Sequence, residues 1–150
     1  MVEVVATDFL EFEPPPAHVS AYDIVCLRHV LEHLPDSRLA MRKIRALLKP
    51  GGHALLEFPN VEAFDKRLKR LLVRSGLHRR RFRPDFVPGH CNEFSRRSFA
   101  YLLAQTGFRL VDWQTYSAKP LTNLIYNRWH IGNKARALIQ RVDQPVGESH

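Results

Sequence analysis

Glycine is scarce in this 150-residue chain, with residues only at positions 51, 52, 76, 89, 107, 132 and 147. No two of them are separated by a single residue, so the G-x-G core of a phosphate-cradling loop cannot be built. Cysteine is scarcer still. Cys26 and Cys91 do not make a disulfide framework, and a reducing, cytoplasmic setting is the default expectation. No apolar run approaches 18 residues, so no transmembrane helix is expected. The stretch from Met1 to Phe12 carries Glu3, Asp8 and Glu11 and no basic residue, unlike a signal or transit peptide. Acids are also in deficit: 15 Asp and Glu face 23 Lys and Arg, a formal net charge of +8. That balance suits anionic partners of several kinds and selects none of them.

What is present is ordinary globular composition, 45% hydrophobic and 25% charged, in a length that suits one domain or slightly less. Val2 to Ala6 reads as a short β-branched strand ended by Thr7 and Asp8. Pro14 to Pro16 is a stiff loop. Tyr22 to Leu27 is nearly continuous in apolar residues and predicts a parallel strand buried on both faces. Asp36 opens a helix running through Leu48, which Lys49, Pro50, Gly51 and Gly52 stop, a glycine serving as its C-cap. Ala54 to Phe58 is the next strand. A helix over Glu62 to Arg74 follows, then an arginine- and proline-rich loop. Ser95 caps a further helix that ends at Gly107 and presents Phe99, Leu102 and Leu103 on its apolar face. Phe108 to Tyr116 alternates as a strand, and the tail from Leu121 to Arg141 reads as helical. The alternation favours an α/β fold with a mostly parallel sheet and flanking helices.

Four stretches carry a more specific signal. They are Tyr22-Asp23-Ile24-Val25, the run Val30-Leu31-Glu32-His33-Leu34-Pro35-Asp36, the helix end Leu47-Leu48-Lys49-Pro50-Gly51-Gly52, and Phe58-Pro59-Asn60. In this order and spacing they resemble the second half of class I S-adenosylmethionine-dependent methyltransferases. Gly89 to Trp113 resembles the final helix and strand of the small-molecule branch of that family. The resemblance implies a truncated Rossmann-like fold lacking the first two strands, because Val2 to Asp8 matches the family's third strand. Residues 1–116 then form the C-terminal part of a methyltransferase domain, with 61–90 a basic lid or insertion and 117–150 a helical extension. The family's glycine-rich loop and its ribose-binding acid have no counterpart here.

By that resemblance the cofactor is S-adenosylmethionine. Asp8 would accept from its adenine amino group, the Phe9 backbone would meet a ring nitrogen, and Arg28 and His29 would line the carboxyl end of the Tyr22 strand, where open α/β sheets bind ligands. His33 is the best single candidate for a general base toward an acceptor hydroxyl. His90 stands before the last helix, as a second candidate base or acceptor contact, and Asn60 is a candidate acceptor contact. His29 to His33 also reads H-x-x-E-H, a zinc-protease signature. That chemistry needs both histidines on one face of a helix and a further ligand, whereas here a strand precedes the motif and Pro35 breaks it. Some ubiquinone-pathway O-methyltransferases resembling this segment hold a divalent ion with Glu-x-x-Glu-His. His29 stands in place of the first Glu, so Glu32 and His33 are read as stabilising a turn, and no metal is assigned.

Lys66 to Arg83 holds nine basic residues and no acid, exceeding the whole net charge of the chain. A solvated face or mobile lid, an anionic membrane surface presenting a lipid-linked acceptor, and an anionic soluble substrate all fit this segment better than nucleic acid does. The leading expectation is methyl transfer to a small-molecule or glycan- or lipid-linked acceptor by a cytoplasmic, potentially membrane-peripheral chain that needs its missing N-terminal half. The alternatives are a non-catalytic methyltransferase-like domain docking on a protein partner, and a basic nucleic-acid-binding module.

Overall fold

The computed structural model describes residues 4–64, 71, 72, 74–76, 91–117 and 127–142. A single 3-10 turn, Pro16–His18, leads into strand β1 (Tyr22–Arg28). A second, Leu31–His33, leads into helix α1 (Ser37–Leu47), which runs straight into strand β2 (Leu48–Pro59). Helix α2 (Arg96–Thr106), strand β3 (Phe108–Tyr116) and strand β4 (Lys134–Arg141) complete the described elements. The four strands form one sheet in the order β1-β2-β4-β3. β1 and β2 pair in parallel, and β4 runs antiparallel to both β2 and β3. Three of the four strands therefore point the same way, and the last strand in sequence is wedged between two earlier ones.

The helix ends follow their local chemistry. The Asp36 side chain accepts from the Leu39 backbone N–H at 2.8 Å, satisfying one of the orphan donors at the start of α1. Ser95 and Ser98 make a reciprocal capping box at the start of α2, and Gly107 closes that helix in the left-handed conformation at φ 75°. At the end of α1 the expectation of a glycine C-cap fails. Leu48 is already extended, and β2 begins there, pairing Leu48 with Tyr22 before Gly51 and Gly52 are reached.

One face of the sheet carries the core. Leu27, Ala54, Leu56, Phe58, Trp113, Ala135, Ala137 and Ile139 are buried together with Met41 and Ile44 of α1 and Phe99 and Leu103 of α2. At its centre the Phe58 ring lies 5.1 Å from Phe94, 4.9 Å from Phe99 and 5.8 Å from Trp113, centroid to centroid. Tilted aromatic contacts of this kind add about 0.5–1.5 kcal/mol each beyond the area they bury. The opposite face is set by the alternate residues, with Arg28, Glu57 and Arg136 in register across β1, β2 and β4.

Three expectations from sequence need correction. Residues 4–6 form no strand and are exposed. β1 is not buried on both faces: it is an edge of the described sheet, and Ile24 is 55% exposed. The tail is not helical at Lys134–Arg141, which is a strand inside the same sheet as β2 and β3, so no boundary at 116 separates it from the rest. The helix expected over 62–74 and the lid read over 61–90 fall largely outside the described residues. No helix among those described is long and apolar enough to cross a membrane.

Candidate active site

The carboxyl ends of β1 and β2 lie side by side, and the chain turns sharply there. His29 adopts φ 55°, a left-handed conformation that a residue with a side chain rarely takes, while its N–H still donates to the Glu57 carbonyl at 2.8 Å. Strain of this sort is held by its surroundings and concentrates at functional sites. The turn that follows presents Leu31 and Glu32 inward. Glu32 is 1% exposed, its Oε1 lies 3.2 Å from His29 Nδ1 and 3.9 Å from His33 Nε2, and its Oε2 has no hydrogen-bond partner among the described residues. A buried carboxylate oxygen without a donor is costly, about 1–3 kcal/mol or more, and marks a place where an outside N–H or O–H would be welcome.

The same turn anchors the chain before α2. The N–H groups of Cys91 and Asn92 both donate to the Glu32 carbonyl, at 2.8 and 3.0 Å, and Asn92 Nδ2 donates to Leu34 O at 2.6 Å. Cys91 is thereby held against the His29–His33 segment, and its neighbour His90 lies outside the described residues. Among the described residues, no group of three or more His, Cys, Asp or Glu is placed to hold a metal ion.

Arg28, His29 and His33 thus come together at one end of the sheet. Asp8 and Phe9 lie on a separate turn. Asp8 is exposed, its Oδ1 accepts from Leu10 N at 2.7 Å, its carbonyl accepts from Glu11 and Phe12, and Phe9 packs half-buried against the core. Asn60 does not present itself to an acceptor. It is 1% exposed, its Nδ2 donates to the carbonyls of His130 and Gly132 at 3.2 and 2.9 Å, and its Oδ1 accepts from Glu62 N at 3.0 Å. Both amide hydrogens are engaged in clamping the segment before β4, which corrects the expectation that it binds substrate.

Sequence reasoning overlooked the charged group beneath this end. Glu57 is 1% exposed, and its carboxylate accepts from Arg28 Nε at 2.8 Å on one side and from Arg136 Nε at 2.7 Å on the other, where a terminal Arg136 nitrogen forms an ion pair at 2.6 Å. Burial pushes its pKa up, but the hydrogen bonds and charges of the two arginines outweigh burial and hold the carboxyl below its usual range. Arg28 is raised in turn, by its hydrogen bond to Glu57 and then by that charge. Tyr116 is raised by its own burial and then by the Glu57 charge, and Arg136 lies over its ring at 5.3 Å. A signal was present: Glu57 is the one charged residue within the apolar run Ala54 to Phe58.

A mixed sheet whose last strand is inserted antiparallel between two earlier ones, packed on one face by α1 and α2, is an α/β fold, and its strained turn at the carboxyl ends of β1 and β2 carries His29 and His33 beside Glu32. The chain belongs to the methyltransferase family whose model, described as "Methyltransferase domain", matches residues 3–112. It is 37% identical over 54 residues to the ubiquinone biosynthesis O-methyltransferase of Marinobacter nauticus, covering 36% of this chain and 23% of that protein. It is 35% identical over 66 residues to methyltransferase str2 of Strobilurus tenacellus, covering 43% and 24%. Its fold matches a SAM-dependent methyltransferase of Thermotoga maritima with a TM-score of 0.61 at 15% identity, over 93% of this chain and 64% of that one. It also matches the 1,6-didemethyltoxoflavin-N1-methyltransferase of Burkholderia thailandensis, solved with S-adenosylhomocysteine bound, at 0.57 and 17% identity, over 93% and 50%. The matched stretches span about a quarter of the curated relatives, and the chain covers no more than about two thirds of these solved structures. The Rossmann-like methyltransferase fold read from the motifs is the fold observed, with a mixed sheet in place of the mostly parallel one expected.

Proposed function

We propose that this chain is the acceptor-side part of an S-adenosylmethionine-dependent methyltransferase acting on a small-molecule acceptor. The observation that carries the reading is the family match over residues 3–112 together with the strained, histidine-bearing turn at the carboxyl ends of β1 and β2. The residues present suit one side of the cofactor. The His29 turn lies at the ligand end of the sheet, and the partnerless Glu32 Oε2 is an acceptor for an ammonium or hydroxyl group. The opposite side, a glycine-rich loop and a ribose-binding acid, is not in this sequence. S-adenosylmethionine, when bound, supplies an electrophilic methyl for in-line displacement.

The chain's own residues then orient and move a proton. Asp8 and Phe9 meet the adenine, and Arg28 and His29 line the cofactor's near wall. His33, beside the Glu32 carboxylate, takes the proton of an acceptor hydroxyl or amine, and His90 is the second candidate base or acceptor contact. The missing wall comes from a segment that adds to the outer edge of β1. That edge is suited to it: Tyr22 and Ile24 are exposed there and border a groove of ≈ 310 Å³ with Val5, Phe12, His18 and Leu47. The same edge also favours the second reading, a non-catalytic domain that docks on a protein partner.

Calorimetric titration of S-adenosylhomocysteine into the folded 150-residue chain tests the proposal. Saturable one-to-one binding weakened by Asp8→Ala supports it. No binding either by the folded chain or by the chain joined to a complementing glycine-rich half overturns it in favour of the docking domain.

A further inference from the structure

Arg28, Glu57 and Arg136 occupy register positions on three adjacent strands, on the face away from α1 and α2. One carboxylate is shared by two guanidiniums, so the cluster keeps an excess positive charge. The carboxylate is buried, while the arginine side chains are 70% and 43% exposed. Arg28 uses only Nε on Glu57, and Arg136 uses Nε and one terminal nitrogen. The two terminal nitrogens of Arg28 and the second of Arg136 meet no acceptor among the described residues. Neither arginine is loose: each is pinned at Nε, and Arg136 also rests over the Tyr116 ring at 5.3 Å. Opposite charges facing each other across strands stabilise a sheet, and one arginine would already neutralise Glu57. Here a buried acid fixes two cations side by side and leaves their outward N–H groups unused, which is the geometry that recognises oxyanions.

We infer that the Arg28–Glu57–Arg136 cluster is an anion-binding site that takes the carboxylate or phosphate group of a small ligand. The site is next to the strained turn, because His29 follows Arg28 and donates to the Glu57 carbonyl. Assigning the anion to the methyl acceptor rests on the methyltransferase reading. The binding itself does not, so it is measured without cofactor and stands or falls alone.

The experiment follows the arginine Nε–H cross-peaks of the whole chain by NMR as inorganic phosphate or acetate is added. The Arg28 and Arg136 peaks are assigned with Arg→Lys variants. The expected result is a saturable shift of both peaks, with the tighter probe identifying the group. Arg136→Gln weakens binding about tenfold, the scale of one charge-assisted hydrogen bond. Glu57→Gln tightens it, because the pair loses its counter-charge; a merely structural role predicts no such opposite signs. Replacing Arg79, Arg80 and Arg81 together by Gln leaves the affinity unchanged. Binding that survives Arg136→Gln but disappears in the triple variant assigns the anion to the basic segment and overturns the inference. Where Arg136→Gln fails to fold, the wild-type titration decides: no saturable shift at Arg28 and Arg136 with either probe refutes it.

Discussion

Replacing Asn60 by Ala separates a structural residue from a substrate contact. In the folded chain its amide joins three backbone groups: the carbonyls of His130 and Gly132 and the N–H of Glu62. The Gly132 carbonyl is fully buried, so nothing replaces the lost donor, at about 1–3 kcal/mol. The other two groups are partly buried and water recovers much of their bonding, leaving a total of about 2–4 kcal/mol. For a chain of this size that is a fall in Tm of roughly 5–15 °C. Urea unfolding followed by circular dichroism reads it as a lower midpoint with an unchanged slope. Asn60→Asp is expected to be worse, because it sets an acceptor oxygen against the two carbonyls that Nδ2 now serves at 2.9 and 3.2 Å. A stability within about 0.5 kcal/mol of wild type, the range of an ordinary surface substitution, would refute the clamp.

Gly132→Ala should be at least as damaging, since an added Cβ would collide with the Tyr116 backbone nitrogen and fall 2.7 Å from its carbonyl oxygen; the same urea midpoint measures it. Asp36→Ala removes the cap on Leu39 N and lowers stability by about 1 kcal/mol, read by the same melt. Glu57 gives a pH dependence of defined sign. Its folded pKa lies below its unfolded value, so its contribution is full above the usual carboxylate range and is lost as pH falls through the folded value. Acid titration of stability should therefore be shallower in Glu57→Gln, and an identical acid limb would contradict the Arg–Glu–Arg geometry.

Where a residue has a local job, the sequence announced it. Asp36, Ser95 and Gly107 mark helix ends because capping is satisfied within a few residues, and Phe99, Leu102 and Leu103 fall on one face for the same reason. β4 was hidden because Lys134 to Arg141 is built from good helix formers. Its strand period is nonetheless there: Ala135, Ala137 and Ile139 alternate inward. Alanine suits those positions because Ala135 pairs with Phe58 and Ala137 with Trp113, where a larger residue would collide with the aromatic cluster. β1 misled for another reason. Its apolar run describes a strand with neighbours on both sides, whereas the described residues supply one. In the site, His29 and His33 were legible from a motif. The Arg28–Glu57–Arg136 contact depends on register across three strands, which no local pattern encodes.

The wedging of β4 between β2 and β3 governs how the molecule can be made. A ribosome releases β1, α1 and β2 early, and they can pair, but β3 has no place to bind until β4 emerges behind it. The nascent chain thus carries an open, aromatic-lined sheet until Lys134 to Arg141 are synthesised. Trimming the two ends is correspondingly unequal. Residues lost ahead of Tyr22 leave all four described strands in place, whereas a stop codon at 133 removes the middle of the sheet and takes away the described partner of β3.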